Sequence, residues 1–343
     1  MIEVQKSRTI SRLALLKSAQ CLHEGRPEEA WQWLRSLFRF SRHIGNPGIV
    51  ISRIVGAALH NIAHKQLIAW ASHKSVTTEH LQVALIELRL INTLTAPLSA
   101  NIKAEYLASM KLLSSPVSVR EYFQSKHSLW SAPAWKAPEP LVGSHLFLNA
   151  EPELCEVLLR HVFANHLSQC DLPRWERKIA ETPRVQLFLP SGRETPALMD
   201  TGTLGDAVMR SRMALSLAPS SIHVLDSIDR EQARQLAYEL CFTVELFRRK
   251  HGEYPESLET LVPEFLDQVP RDPFGSKLTE RMLMIRREAR VQERSTEDEA
   301  ALQRPCLIIY SRGGNGMDDG GEIARQTEDI GIRIPINTVP KSN

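Results

Sequence analysis

Between Tyr310 and Glu322 the chain reads YSRGGNGMDDGGE, thirteen residues of which five are glycine, directly after the apolar run CLIIY. Asn315, Asp318, Asp319 and Glu322 lie in this stretch, with Glu328 and Asp329 just beyond. Oxygen donors on a glycine-rich backbone suit Ca²⁺, which takes six to eight oxygens from carboxylates, amides and main-chain carbonyls. The EF-hand pattern does not apply. Met317 would occupy a ligand position, and the twelfth residue from Asn315 is Gln326. Any calcium site must therefore use another geometry, and a glycine turn with solvated carboxylates is the alternative.

Other chemistry is sparse. His60 and His64 are four residues apart on an expected helix, a spacing that can hold zinc, but Asn61 stands where the helical protease motif needs Glu. Cys155, His161, His166 and Cys170 share one expected helix, whose rise puts the two cysteines about 22 Å apart, too far to share an ion. The five cysteines are scattered and never form a C-x-x-C pair, so they read as buried reduced thiols. The sequence contains no G-x-S-x-G elbow, no Walker loop and no G-x-G-x-x-G behind a strand.

The totals fit a globular chain of two or three domains: 343 residues, 43% apolar and 24% charged. A net charge of +2 does not point to nucleic acid. Neither a secretory h-region nor an uncharged bilayer-length apolar run is evident, so the expectation is a soluble, cytoplasmic chain without a membrane span. An anchor encoded upstream of Met1 would instead move the protein to the cell envelope.

Stepping along the chain, residues 1–113 are expected to form an all-α helical-hairpin domain. SRTISRLALLKSAQCLHEG stops at Gly25, and RPEEAWQWLRSLFRFSRHIG follows with Pro27 in its first turn and Gly45 at its end. The pair resembles a tetratricopeptide hairpin, without a second copy at a fixed period. NPGIVISRIVGAALHNIAHKQLIAWAS predicts one helix, TTEHLQVALIELRLINTL a helix capped by Thr77 or Thr78, and SANIKAEYLASMKLLSS a fifth. Residues 114–148, rich in Pro and Trp, are expected to be a connector anchored by Trp130 and Trp135. Residues 149–224 should hold a helix capped by Asn149 and loop-rich chain, with VQLFLP as a candidate strand. In residues 225–343 the strongest helix of the chain is expected to start at a Ser227 cap, bury Leu236, Leu240, Val244 and Phe247, and end at Gly252. A short helix (PESLETLVPEFL), a Pro-Gly turn (DQVPRDPFG) and two strands follow, with a charged insertion at 286–304.

The ordered pieces FRRKHGEYPESLETLV, VPRDPFG, YSRGGNGMDDGGE and EDI, spread from Ile228 to Pro340, resemble the globular domain of type II secretion major pseudopilins. The resemblance implies an α+β domain made of a long helix and a small antiparallel sheet. It also implies a structural Ca²⁺ held by Asn315, Asp318, Asp319 and Asp329, with Ser311 and nearby carbonyls adding oxygens. Asn315 stands where that family has Asp, removing one charge. The leader and apolar helix of pseudopilins do not match here. The expected function is a non-enzymatic scaffold or assembly protein, with a protein partner bound through the helical domain. The alternatives are a metal-dependent hydrolase, with His223 or His251 as base to Asp318 or Asp319, and a helical adaptor that binds no metal.

Overall fold

The computed structural model describes residues 2–46, 48–115, 117–119, 121–122, 151–180, 187–190, 200–218, 221–275, 279–287, 305–323 and 329–336. Most of the 114–148 connector, Asn149 and all but the first two residues of the 286–304 insertion lie outside the described residues. The architecture is mostly helical with a small antiparallel sheet, the α+β class expected.

Ten helices are described: α1 (Ile2–His23), α2 (Pro27–Gly45), α3 (Val50–Ile62), α4 (His64–Ala71), α5 (Thr78–Thr93), α6 (Leu98–Leu113), α7 (Glu151–Gln169), α8 (Thr201–Arg210), α9 (Arg212–Leu217) and α10 (Ser221–His251). Strands β1 (Ile179–Ala180) and β2 (Leu187–Phe188) form a two-stranded ladder. Strands β3 (Leu283–Arg287), β4 (Cys306–Ser311) and β5 (Ile330–Pro335) form a sheet in sequential antiparallel order.

The chain divides into two compact units, one formed by residues 1–45, 54–96 and 226–343, the other by 46–53 and 97–225. The second unit runs through the expected boundaries at 113 and 148, while the break between residues 225 and 226 falls within one residue of the expected start of the last domain. In the first unit the α1–α2 turn closes on Gly25, at φ +74°, with Arg26 N–H bonded to the Cys21 carbonyl as in a Schellman motif. Trp31, Phe38 and Trp70 from α2 and α4 meet Tyr238 and Phe242 of α10, with ring centroids 5.0 Å apart for Trp31–Trp70 and 5.7 Å for Trp31–Phe242. The same core continues to Leu307 and Ile309 of β4 and Ile332 and Ile334 of β5. Residues 240 to 247 of α10 are all buried, so this helix is apolar around more than one face. That is why the helical region and the sheet share one core.

Several elements differ from expectation. The third helix is broken at Ala63, whose N–H turns to the His60 carbonyl while the His64 ring lies 2.9 Å from the Asn61 carbonyl. Helix α10 starts at Ser221, so Ser227 is an interior residue and not its cap. Val224 and Leu225 extend its buried surface upstream. Leu240, Val244 and Phe247 are buried as expected, Leu236 only partly, and Gly252 ends the helix at φ +81°. PESLETLVPEFL forms a single 3₁₀ turn, Glu259–Leu261. There the Thr260 hydroxyl bonds the Ser257 backbone, and Pro263 has no N–H to extend a helix. Thr77 caps α5 as expected, its hydroxyl accepting from His80 N–H while His80 Nδ1 accepts from Thr77 N–H.

In the second unit, Tyr106 of α6 packs on Phe163 of α7 at 5.4 Å. Asn165 of α7 bonds both the N–H and the carbonyl of Phe188, at 2.9 and 2.8 Å, which fixes β2 against that helix. The candidate strand in VQLFLP is thus realised over Leu187–Phe188. Residues Thr78–Leu113 contain an 18-residue window of mean hydropathy 1.2, of which 28% is buried, and the chain there is divided between α5 and α6, sixteen residues each.

Candidate metal centre at the glycine-rich loop

The loop leaves β4 after Ser311 and rejoins the sheet at Ile330, and these two residues face each other in the β4–β5 register. At the base, Tyr310 sits opposite Gly331. A Cβ on Gly331 would stand 2.1 Å from the Ile309 carbonyl oxygen, so only glycine lets the strands approach here. At the far side of the loop Gly321 has φ +69°, and a Cβ there would meet Ile285, Ile308 and Tyr310 at 3.1–3.2 Å. This left-handed residue presses the loop's return onto the sheet.

The polar groups of the loop are distributed as follows. Asn315 donates its amide hydrogen to Asp319 Oδ2 at 3.0 Å and accepts from Met317 N–H at 2.9 Å. Asp318 Oδ1 accepts from the Tyr310 hydroxyl and from Gly320 N–H, both at 2.9 Å. Asp329 Oδ2 accepts from Gly321 N–H at 2.9 Å. Its other oxygen, Oδ1, is buried without a hydrogen-bond partner, and the residue is only 4% exposed. Burial pushes the Asp329 carboxyl above its usual range, the backbone N–H groups of Gly321 and Asp319 pull it partly back, and the negative charges of Asp319 and Asp318 add to the rise. The Tyr310 phenol is raised by burial and by its bond to Asp318.

Ser311, expected to add an oxygen to a metal, directs its hydroxyl elsewhere. It donates to Asp272 Oδ1 and faces Gly313 N–H at 3.4 Å. Glu322 is exposed, and Glu328 lies outside the described residues. The structure therefore brings Asn315 to Asp319, connects Asp318 to Tyr310, and couples Asp329 electrostatically to Asp318 and Asp319. Among the described residues no three histidine, cysteine or acidic side chains converge closely enough to hold an ion as they stand. The tyrosine hydroxyl, the Asn315 amide and backbone N–H groups hold the carboxylates individually. What fits a cation is the donor set, all hard oxygens, and the unpartnered buried oxygen of Asp329.

Two participants escaped sequence reasoning. Asp272, in VPRDPFG, was expected only to form part of a turn, yet its fully buried carboxylate receives Ser311. Tyr310 ends the apolar run CLIIY, and nothing in its spacing reports the bond to Asp318.

The remaining candidates are accounted for by packing. His60 is fully buried, stacked on Tyr238 with centroids 5.2 Å apart and 5.0 Å from Phe38. Burial lowers the His64 pKa. The Cys155 and Cys170 thiols are pushed up to about 12, burial being the main cause. His251 faces Glu264 at 3.2 Å and packs on Phe247, and the side chain of His223 lies outside the described residues.

No protein-family model, no curated protein and no solved structure matches the chain.

Proposed function

We propose that the chain is a non-enzymatic scaffold or assembly protein whose C-terminal sheet, pseudopilin-like in its motif order, is tied together by Ca²⁺ at the glycine-rich loop. The observation that carries this reading is Asp329. Its carboxylate is buried just before β5, one oxygen has no partner, and the negative charges of Asp319 and Asp318 act against its ionised form. Such a group is unfavourable alone and favourable beside a divalent cation. Asp318, Asp319 and Asp329 would hold the ion, with the Asn315 amide oxygen as a neutral donor. The ion would supply charge neutralisation and a cross-link between the loop and β5. With an amide at position 315, the site would bind more weakly than one with a fourth carboxylate.

A protein partner is supported by α5. Val83, Ile86, Leu90 and Leu94 form an exposed apolar stripe along one side of it, while Leu81, Ala84, Leu85 and Leu88 fill the core on the other. The tetratricopeptide-like character of the hairpin belongs to the same proposal. The hydrolase reading gains no support from His251, which is engaged by Glu264.

The test is scanning calorimetry of the full chain in calcium and in EDTA. The whole chain is needed because α10 shares its core with α1, α2, α4 and α5. Calcium at one hundred times its Kd would add about 2.7 kcal/mol of stability. Identical melting in both conditions would leave the metal-free helical adaptor.

A further inference from the structure

We propose that Asp272 is a positioning residue for the calcium loop, holding the loop's exit from β4 so that Asp318, Asp319 and Asp329 can converge on one cation. This rests on the calcium reading above. Asp272 is fully buried, and each of its oxygens serves two donors. Oδ1 accepts from the Ser311 hydroxyl and from Phe274 N–H at 2.9 Å. Oδ2 accepts from Arg312 N–H at 3.0 Å and from the Arg312 guanidinium at 3.4 Å. Three of the four donors are N–H groups that cannot accept, so an amide at 272 would set an N–H against either Phe274 N–H or the Arg312 N–H groups.

The clamp is itself anchored. Asp272 N–H bonds the Glu280 carbonyl at 3.1 Å, Gly275 N–H bonds the Asp272 carbonyl at 3.0 Å, and Phe274 is buried with Ala233 of α10 and Ile330 of β5. The end of β4 is thus held by two carboxylates. Ser311 engages Asp272, and its neighbour Tyr310 engages Asp318, a ligand of the proposed ion. Arg312, at the start of the loop, is the second element of the inference. Its guanidinium is tied to Asp272 and to the Arg281 carbonyl, both at 3.4 Å. Without the Asp272 charge this cation would be free to approach the acidic ligands and compete with calcium. Asp272 therefore acts both on the path of the loop and on the charge beside it.

The experiment uses the full-length protein and Tb³⁺, which shares the preference of calcium for hard oxygens and is sensitised by a nearby tyrosine, here Tyr310. Calcium displacement of Tb³⁺ gives the calcium Kd for the wild type, Asp272→Asn and Ser311→Ala. The expected result is a Kd at least about 10-fold weaker in D272N, the scale of loss for outer-shell partners of metal ligands. S311A should show a smaller loss in the same direction, and the double variant should match D272N alone, since Ser311 acts through Asp272. If D272N lowers the melting temperature in EDTA but leaves the calcium Kd unchanged, Asp272 is a folding residue and the inference is overturned. Should D272N fail to fold, an unchanged Kd in folded S311A overturns it equally. A wild type that binds neither ion overturns the calcium reading itself, and the inference with it.

Discussion

Arg42 of α2 and Glu231 of α10 form an ion pair in which both side chains are 1% exposed. The Arg42 guanidinium also reaches Asn92 Oδ1 at 3.2 Å, and the Asn92 amide donates to Glu239 at 2.9 Å. This chain of polar contacts runs from α2 through α5 to α10 and fixes the long helix against the helical layer. Removing Arg42 would take a direct counter-ion from the buried Glu231 carboxylate. Arg42→Met should therefore cost about 3–5 kcal/mol, and the double change Arg42→Met, Glu231→Leu should recover most of it. Urea unfolding of the two variants checks the difference.

Asp329→Asn should separate the two consequences of the buried carboxylate. The raised pKa of Asp329 means that its proton favours the folded state. That stabilisation is complete below the unfolded value, near 3.8, and is lost as pH rises through the folded value. In EDTA at neutral pH the ionised group is a burden, so D329N should melt no lower than the wild type. In calcium, D329N should gain nothing. Paired melting curves in EDTA and calcium read both effects, and a lower melting point for D329N in EDTA would contradict the first.

Gly331→Ala should damage the sheet directly. The added methyl would meet the Ile309 carbonyl and Tyr310 across the β4–β5 ladder, so the strands would have to separate. Overpacking of this kind costs about 1–3 kcal/mol, and the backbone contact places G331A at the upper end. Denaturant unfolding in EDTA measures it without any contribution from the metal.

A fragment of residues 226–343 should lack a cooperative melting transition. Ala237, Tyr238, Cys241 and Phe242 of α10 are buried in the core that contains Trp31, Phe38 and Trp70. Cutting away α1, α2, α4 and α5 would expose part of that face to water, and the small three-stranded sheet has little apolar surface to replace it. Calorimetry of the fragment beside the full chain decides this; a sharp transition in the fragment would show that the C-terminal region folds alone.

Much of the helical pattern was legible because local rules dominate there. The Gly25 turn and the Gly252 stop each follow from glycine's tolerance of positive φ, and the Thr77 cap from a hydroxyl that reaches the first-turn N–H. The break at Ala63 and the upstream start of α10 were not legible. Both depend on a choice between continuing and ending a helix that apolar spacing leaves open. Strand β5 went unread although Ile330, Ile332 and Ile334 alternate with Gly331 and Arg333, a period-two pattern with its three isoleucines buried. The shared core had one local sign. Leu240, Cys241, Phe242, Thr243 and Val244 are buried in succession, which a helix covered on a single face cannot do. The carboxylates of the loop were found by composition, but their partners were not. The bond from Ser311 to Asp272 joins residues 39 apart, and no spacing rule connects them.

The most direct test of the central claim is isothermal titration of calcium into the full-length, EDTA-stripped protein, with D329N as the control. The calcium reading predicts one saturable site in the wild type and its loss in D329N. A flat titration of the folded wild type, or equal binding by D329N, would contradict it.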